Sequence, residues 1–314
     1  MGPPRTILCP VDFSAHSRVA LECAMGLASF YRASLIVQTV IDPMLAQAAA
    51  GGGESDYLRD TRAELRTFAR SAALRGVSWA PRPRLVVTIG RAAEQILDVA
   101  AFYSTDLIVL GSQGLGGVRK LVFGSTTEGV LRRTDVPVLA VPLGGRPLVT
   151  FDRQGARFRP HRVMAAVDMH GGSPALTSAA ADIAEATGVP LLLAHVVHPL
   201  ETTERWRRCR DSATHLRVAT AQMAVERLAA DLPVPAEAIV VTGHAADALT
   251  QAAASHDVGL IVMGIGSGEQ GARRPGSTAY RMLCLATLPV LALPPATAPD
   301  VEWKSPVEMK EVVA

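Results

Sequence analysis

Residues 106–142 read "DLIVLGSQGLGGVRKLVFGSTTEGVLRRTDVPVLAVP". Two continuous apolar runs, "DLIVL" and "VPVLAVP", enclose a glycine-rich loop that ends in Gly124-Ser125-Thr126. Unbroken Val/Ile/Leu runs mark parallel strands covered on both faces. The usual phosphate-loop spelling, G-x-x-x-x-G-K-[ST], is absent. Gly111 and Gly114 are instead followed, nine residues later, by Gly124-Ser125. Glycine lets a backbone approach a ligand closely or adopt positive φ. Ser125 reads as a helix N-cap with Glu128 three residues on, the spacing of a capping box. A helix start presents amides and a positive dipole end to phosphate. Ser125 and Thr126 add hydroxyl donors, and Arg119 and Lys120 lie within the loop.

Working outward, strands are expected near 6–12, 34–41, 84–89, 106–111 and 137–141. Helices are expected at 15–31, opening at Ser14 or Ser17, and at 57–75, 91–103 and 125–133. This alternation predicts a doubly wound α/β sheet. Ligands bind such sheets beyond the carboxyl ends of the strands, near the switch in strand order. Pro10-Val11-Asp12 ends the first strand, Val40 the second and Gly111 the fourth. Asp12 has two readings: a cap on the following helix, or an acceptor for adenine, ribose or a phosphate-bound metal. The Val40 backbone can pair with a base edge.

The chain repeats itself. "RTILCPVDFSAHS" returns as "HRVMAAVDMHGGS", "DLIVLGSQG" as "GLIVMGIGS" and "TDVPVLAVP" as "ATLPVLALP". Asp12 and Asp168 stand 156 positions apart, Gly90 and Gly243 153, and Gly124 and Gly276 152. A near-constant offset means a duplicated domain. The expected units are 1–143 and 161–294, with a Gly/Pro/Arg-rich linker at 144–160 and a Pro-rich tail at 295–314. Residues 47–55, "QAAAGGGES", read as a mobile loop.

Composition narrows the function classes. Of 314 residues, 49% are hydrophobic and 19% charged, which describes a well-buried globular protein. A net charge of +2 with scattered Lys and Arg gives no footprint for nucleic acid or an anionic membrane. No apolar run approaches the roughly 20 residues of a membrane span. Cys9, Cys23, Cys209 and Cys284 share no metal or redox spacing and read as small buried hydrophobes, pointing to a reducing, cytoplasmic setting. His195 and His198, three apart on a strand, face opposite ways and are not read as a metal pair. Arg205, Trp206, Arg207 and Arg208 read as a solvated basic helix surface.

On these residues the chain resembles a tandem universal stress protein. ATP-binding members of that family carry G-x-x-G-x(9)-G-[ST] after the fourth strand, and Gly111, Gly114, Gly124 and Ser125 match it throughout. "ILCPVDFS" is similar to the family's first strand, and "VPVLAVP" to its last. The resemblance covers 5–142 and 162–294. It implies two tandem Rossmann-like domains of the adenine nucleotide α-hydrolase-like kind, each a five-stranded parallel sheet. It implies ATP, with or without Mg, held by Pro10, Asp12 and Val40 at the nucleoside and by Gly111, Gly114, Gly124, Ser125 and Thr126 at the phosphates. It also implies that the last strands pair as an internal pseudo-dimer, with a homodimer as a further option. The implied role is regulatory or protective, with no protein metal site and no turnover beyond slow hydrolysis. An enzyme of the related folds would need S-G-G-x-D-S or H-x-G-H after the first strand, and "PVDFSAHS" supplies neither; G-x-S-x-G is absent too.

The second half departs. Gly264 to Gly276 is one residue shorter than Gly111 to Gly124, and Ser267 stands where the second glycine falls. Gly266 sits ten residues before Gly276, so a shifted register would preserve much of the cradle; Ser277, Thr278, Asp168 and Val196 persist at the matching positions, but Ala166 replaces Pro10 and Tyr280 replaces Glu128. Two readings stay open there: a second nucleotide site, or a degenerate half kept for packing.

Overall fold

A computed structural model describes residues 2–49, 54–72, 82–112, 124–152, 155–158, 160–169, 173–265 and 277–295. The first half runs β1 (Thr6–Pro10), α1 (Ala15–Tyr31), β2 (Ser34–Ile41), α2 (Pro43–Ala49), α3 (Glu54–Ala72), β3 (Arg84–Ile89), α4 (Ala92–Phe102), β4 (Leu107–Gly111), α5 (Ser125–Leu131) and β5 (Val138–Val141). A hairpin follows, β6 (Val149–Asp152) and β7 (Gly155–Phe158). The second half runs β8 (Val163–Ala166), α6 (Ser173–Thr187), β9 (Leu191–Val197), α7 (Arg207–Ala230), β10 (Ala236–Thr242), α8 (Ala245–Ser255), β11 (Leu260–Gly264), α9 (Ser277–Leu285) and β12 (Val290–Leu293).

Both halves build the same doubly wound α/β sheet, and the two sheets are one. The strand order is β10-β9-β8-β11-β12-β5-β4-β1-β2-β3. Every neighbouring pair is parallel except β12–β5, which is antiparallel with Leu291 opposite Leu139. Each half thus covers the open edge of the other, a way of removing an aggregation-prone edge. This is the edge pairing expected of an internal pseudo-dimer.

Alternate residues of the apolar strands feed opposite faces. Ile7, Cys9 and Val109 join one core with α1, α3, α6, α7 and the hairpin. Leu8, Ile108 and Leu110 join the other with α4, α5, α8 and α9. The duplication extends to backbone conformation. Phe13 and Met169 both have φ of 64°, and Gly90 and Gly243 have φ of 153° and 147°. Arg32 (55°) matches Gly188 (64°), each just past the helix after its half's first strand.

Three expectations need correction, and the expected linker carries structure of its own. Residues 47–49 belong to α2 and 54–55 to α3, so 47–55 is not a loop at either end; 50–53 lie outside the described residues. The signal was present: Asp42 precedes Pro43 and a run of helix formers, and its Oδ1 accepts from Met44 N at 2.8 Å. The 144–160 segment holds a hairpin packed on α1, with Phe158 against Phe30 and Tyr31. A Cβ at Gly26 would overlap the Val149 side chain, so glycine is what lets the hairpin approach. α3 starts earlier than expected, at Glu54, because a helix can begin on polar residues that carry no periodic apolar signal. Finally, Cys9 and Cys23 are buried, but Cys209 is exposed and Cys284 half-buried. Burial pushes the Cys23 thiol up to about 12 and raises Cys9 as well.

Candidate functional site

β1 lies between β4 and β2, so the chain winds away from it in both directions. The carboxyl ends of these three strands carry Gly111, Pro10 and Val40, the residues read from the sequence. β1 gives its last rung as Val11 N to Gln38 O at 2.7 Å. Asp12 then turns the chain: its Oδ1 accepts from Ser14 N at 3.1 Å. Phe13 takes the left-handed conformation and sets its ring edge-on to Phe68, with centroids 5.4 Å apart. A bulky residue there stores strain that the surrounding packing must hold.

The cap of α1 is Ser14, whose Oγ accepts from Ser17 N at 3.1 Å. Of the two readings of Asp12, helix N-cap is therefore excluded; it is the half-buried residue of the turn before the cap.

Val40 is half-buried, and its ladder partner on the β3 side is Thr88. Gln38 O bonds toward β1, and Ile41 O accepts Gly90 N on the β3 side. Strand alternation therefore turns the Val40 N–H and C=O toward the β1 side, past the last rung.

Gly111 is buried, and a Cβ there would sit 2.9 Å from the His16 backbone. The first turn of α1 leaves no room for a side chain. Neither Gly111 nor Gly124 uses positive φ, so at Gly111 close approach is the reason for glycine rather than backbone freedom. Gly114, Arg119 and Lys120 lie outside the described residues.

The capping box is a correction. The N-cap of α5 is Gly124, with no side-chain bond, and Ser125 is the first helical residue. Glu128 instead binds Arg132, one turn on, with Nε to Oε1 at 2.9 Å. A nearby guanidinium offers the carboxylate a stronger partner than a neutral backbone N–H. Ser125 is exposed and Thr126 half-buried, and neither hydroxyl caps the helix.

Two residues were missed. Thr127 is buried and its Oγ1 donates to Gly111 O at 3.3 Å, tying the start of α5 to the end of β4. Gln38 is fully buried; its Nε2 donates to Thr88 Oγ1 and to Gln95 O, both at 3.0 Å, while Oε1 has no partner among the described residues. The polar interruption in "SLIVQTVI" was the signal for Gln38. Nothing in the spacing marked Thr127 out from its two neighbours.

The second half places Asp168 exposed after β8, Val196 half-buried on β9 and Thr278 half-buried at the start of α9, which begins at Ser277. Gly264 is exposed at the end of β11, and a Cβ there would meet nothing within 4 Å among the described residues. Gly266 and Gly276 lie outside the described residues. His195 Nδ1 donates to Val167 O at 2.8 Å, and His198 is exposed. Among the described residues no group of three His, Cys, Asp or Glu side chains is placed to hold a metal. A shallow cleft of about 580 Å³ under Glu226, Leu232 and Pro233 lies at the start of β10, away from these strand ends.

Fold and strand ends together define a tandem doubly wound protein with its candidate ligand edge at the β4–β1–β2 switch. The chain belongs to the universal stress protein family, whose model matches residues 4–142 and again 160–294. A universal stress protein of Thermus aquaticus is 34% identical over 137 residues, 44% of this chain and 98% of that protein. A Mycolicibacterium smegmatis universal stress protein is 26% identical over 195 residues, 60% of this chain and 63% of that one. Among solved structures, a universal stress protein from Archaeoglobus fulgidus covers 93% of this chain and 99% of its own, with a TM-score of 0.59 at 19% identity. That likeness shows the fold. No helix among the described residues is long and apolar enough to cross a membrane.

Proposed function

We propose that the first half binds ATP and that its occupancy serves a regulatory or protective role. The supporting observation is the convergence of Asp12, the Val40 backbone and Gly111 on three adjacent strand ends, with α5 tied to Gly111 by Thr127. Asp12 and Val40 recognise the nucleoside beside Pro10. Gly111, Gly114, Gly124, Ser125 and Thr126 take the phosphates through backbone amides and hydroxyls. The donor set fits a polyphosphate: small residues, hydroxyls at the start of α5 and a half-buried acceptor at the nucleoside end. A Mg ion would be carried by the phosphates, and ATP bound there is held rather than consumed.

In this reading the second half does not bind nucleotide. It completes the sheet through β12 and β5, while its Asp168 stands exposed. Calorimetric titration with ATP is expected to give one site per chain, and Gly124→Val to weaken it by at least about tenfold, roughly 1.4 kcal/mol. Equal affinity in the two proteins, or two equivalent sites, overturns the reading.

A further inference from the structure

We propose that α7 is a self-association surface on which a second copy of this chain docks antiparallel, helix against helix. α7 rests its inner side on β9 and β10 through Val225, which is buried, and the partly buried Leu228 and Ala229. Its outer side exposes large apolar side chains. Leu216 is 70% exposed, Met223 61% and Trp206 56%, and Cys209 is exposed with them.

Positions 206, 209, 213, 216, 220 and 223 carry Trp, Cys, Ala, Leu, Thr and Met. Their spacing of three and four residues is the seam of a helix that packs against another helix. The fold does not require this seam. α3, which fills the same place in the first half, exposes Arg59, Asp60, Glu64, Arg66 and Arg70 there.

Charge selects the partner and its direction. Arg205, Arg207, Arg208 and Arg210 outnumber Asp211 at the start of α7, whereas at its end Glu226 and Asp231 outnumber Arg227. A parallel pair would stack arginines on arginines. An antiparallel pair sets the basic end of each helix over the acidic end of the other and also opposes the helix dipoles.

The register follows from the seam. Layering Trp206 on the partner's Met223, Cys209 on the partner's Thr220 and Ala213 on the partner's Leu216 brings Arg205 beside the partner's Glu226 on the flanking position, twice by symmetry. On the opposite flank the arginines are already engaged: Arg217 Nη1 donates to His198 O at 2.9 Å, and Arg210 Nε to Asp211 Oδ1 at 3.2 Å. The surface is self-complementary, as a two-fold interface must be.

Light scattering and sedimentation of the full chain over a range of concentrations test this. The expected mass is twice the 33.1 kDa of the chain. Leu216→Glu and Met223→Glu each give 33.1 kDa species with unchanged thermal melts, because both sites are exposed in the single chain. Glu226→Arg weakens the dimer by at least about tenfold, and adding Arg205→Glu restores it. Mild oxidation of Thr220→Cys yields a covalent dimer through the partner's Cys209, while wild type does not crosslink; on one helix the two positions lie about 16 Å apart, too far for an internal disulfide. A monomeric wild type, a dimer that survives Leu216→Glu, failure of the double charge swap to restore association, or loss of the dimer on removing 296–314 alone would each overturn the proposal.

Discussion

Gly111 and Gly264 end the fourth strand of their halves, and their surroundings differ. A side chain at Gly111 would strike the backbone of His16, whereas one at Gly264 would meet no atom of the described residues within 4 Å, the counterpart of His16 at 172 lying outside them. Asp12 is half-buried in a bonded turn, and its counterpart Asp168 is exposed. In the first half the first turn of α1 lies directly against Gly111. Duplication preserves what the core needs, namely the buried strands and the αL turns. It does not preserve the burial of the carboxylate that follows each half's first strand.

The sharpest way to break this contrast is paired valine substitution. Gly111→Val forces a side chain into the α1 backbone and is expected to destabilise by about 3 kcal/mol, the upper range for overpacking. Gly264→Val is expected to change stability by less than about 0.5 kcal/mol, as surface changes do. Denaturant unfolding measures both, and equal losses would erase the distinction drawn between the halves.

Removal of each carboxylate sharpens the ligand side. Asp12→Ala is expected to raise the Kd for ATP by about tenfold, a loss of roughly 1.4 kcal/mol. Asp168→Ala should leave it unchanged. An effect of Asp168→Ala equal to that of Asp12→Ala assigns nucleotide to the second half as well.

The smallest expected effect concerns the shared turns. Arg32 caps α1 in the left-handed region that glycine occupies at 188. Arg32→Gly should stabilise by about 1 kcal/mol, and Gly188→Arg should destabilise by about as much, since a Cβ at Gly188 meets no other atom within 4 Å and only the backbone term changes. Thermal melts should move by about 2 °C in opposite directions.

Much of this was legible in the residues. β2 and β3 span the expected 34–41 and 84–89, and α1 the expected 15–31, because apolar runs and Ser14 mark their ends locally. The two halves were legible because the same strings recur. α2 was also written locally, in Asp42-Pro43 and the alanines after it, and was masked by the neighbouring glycines. The capping box was misread because spacing alone does not say that Glu128 has Arg132 one turn away on the same helix. The hairpin at 149–158 was hidden because each of its strands is only four residues long, too short for a periodic signal.

The sequence by itself determined the doubly wound class, the duplication and the glycine–hydroxyl spacing of 111–126, since each is a pattern along the chain. Tertiary structure alone decided why Gly111 must lack a side chain, that Asp12 is a turn residue and not a cap, and that β5 and β12 join two sheets into one. Those depend on atoms far apart in sequence meeting at close range: the His16 backbone at Gly111, Thr127 at the Gly111 carbonyl, Leu139 opposite Leu291. Local pattern specifies elements; steric contact between elements decides what each residue within them is for.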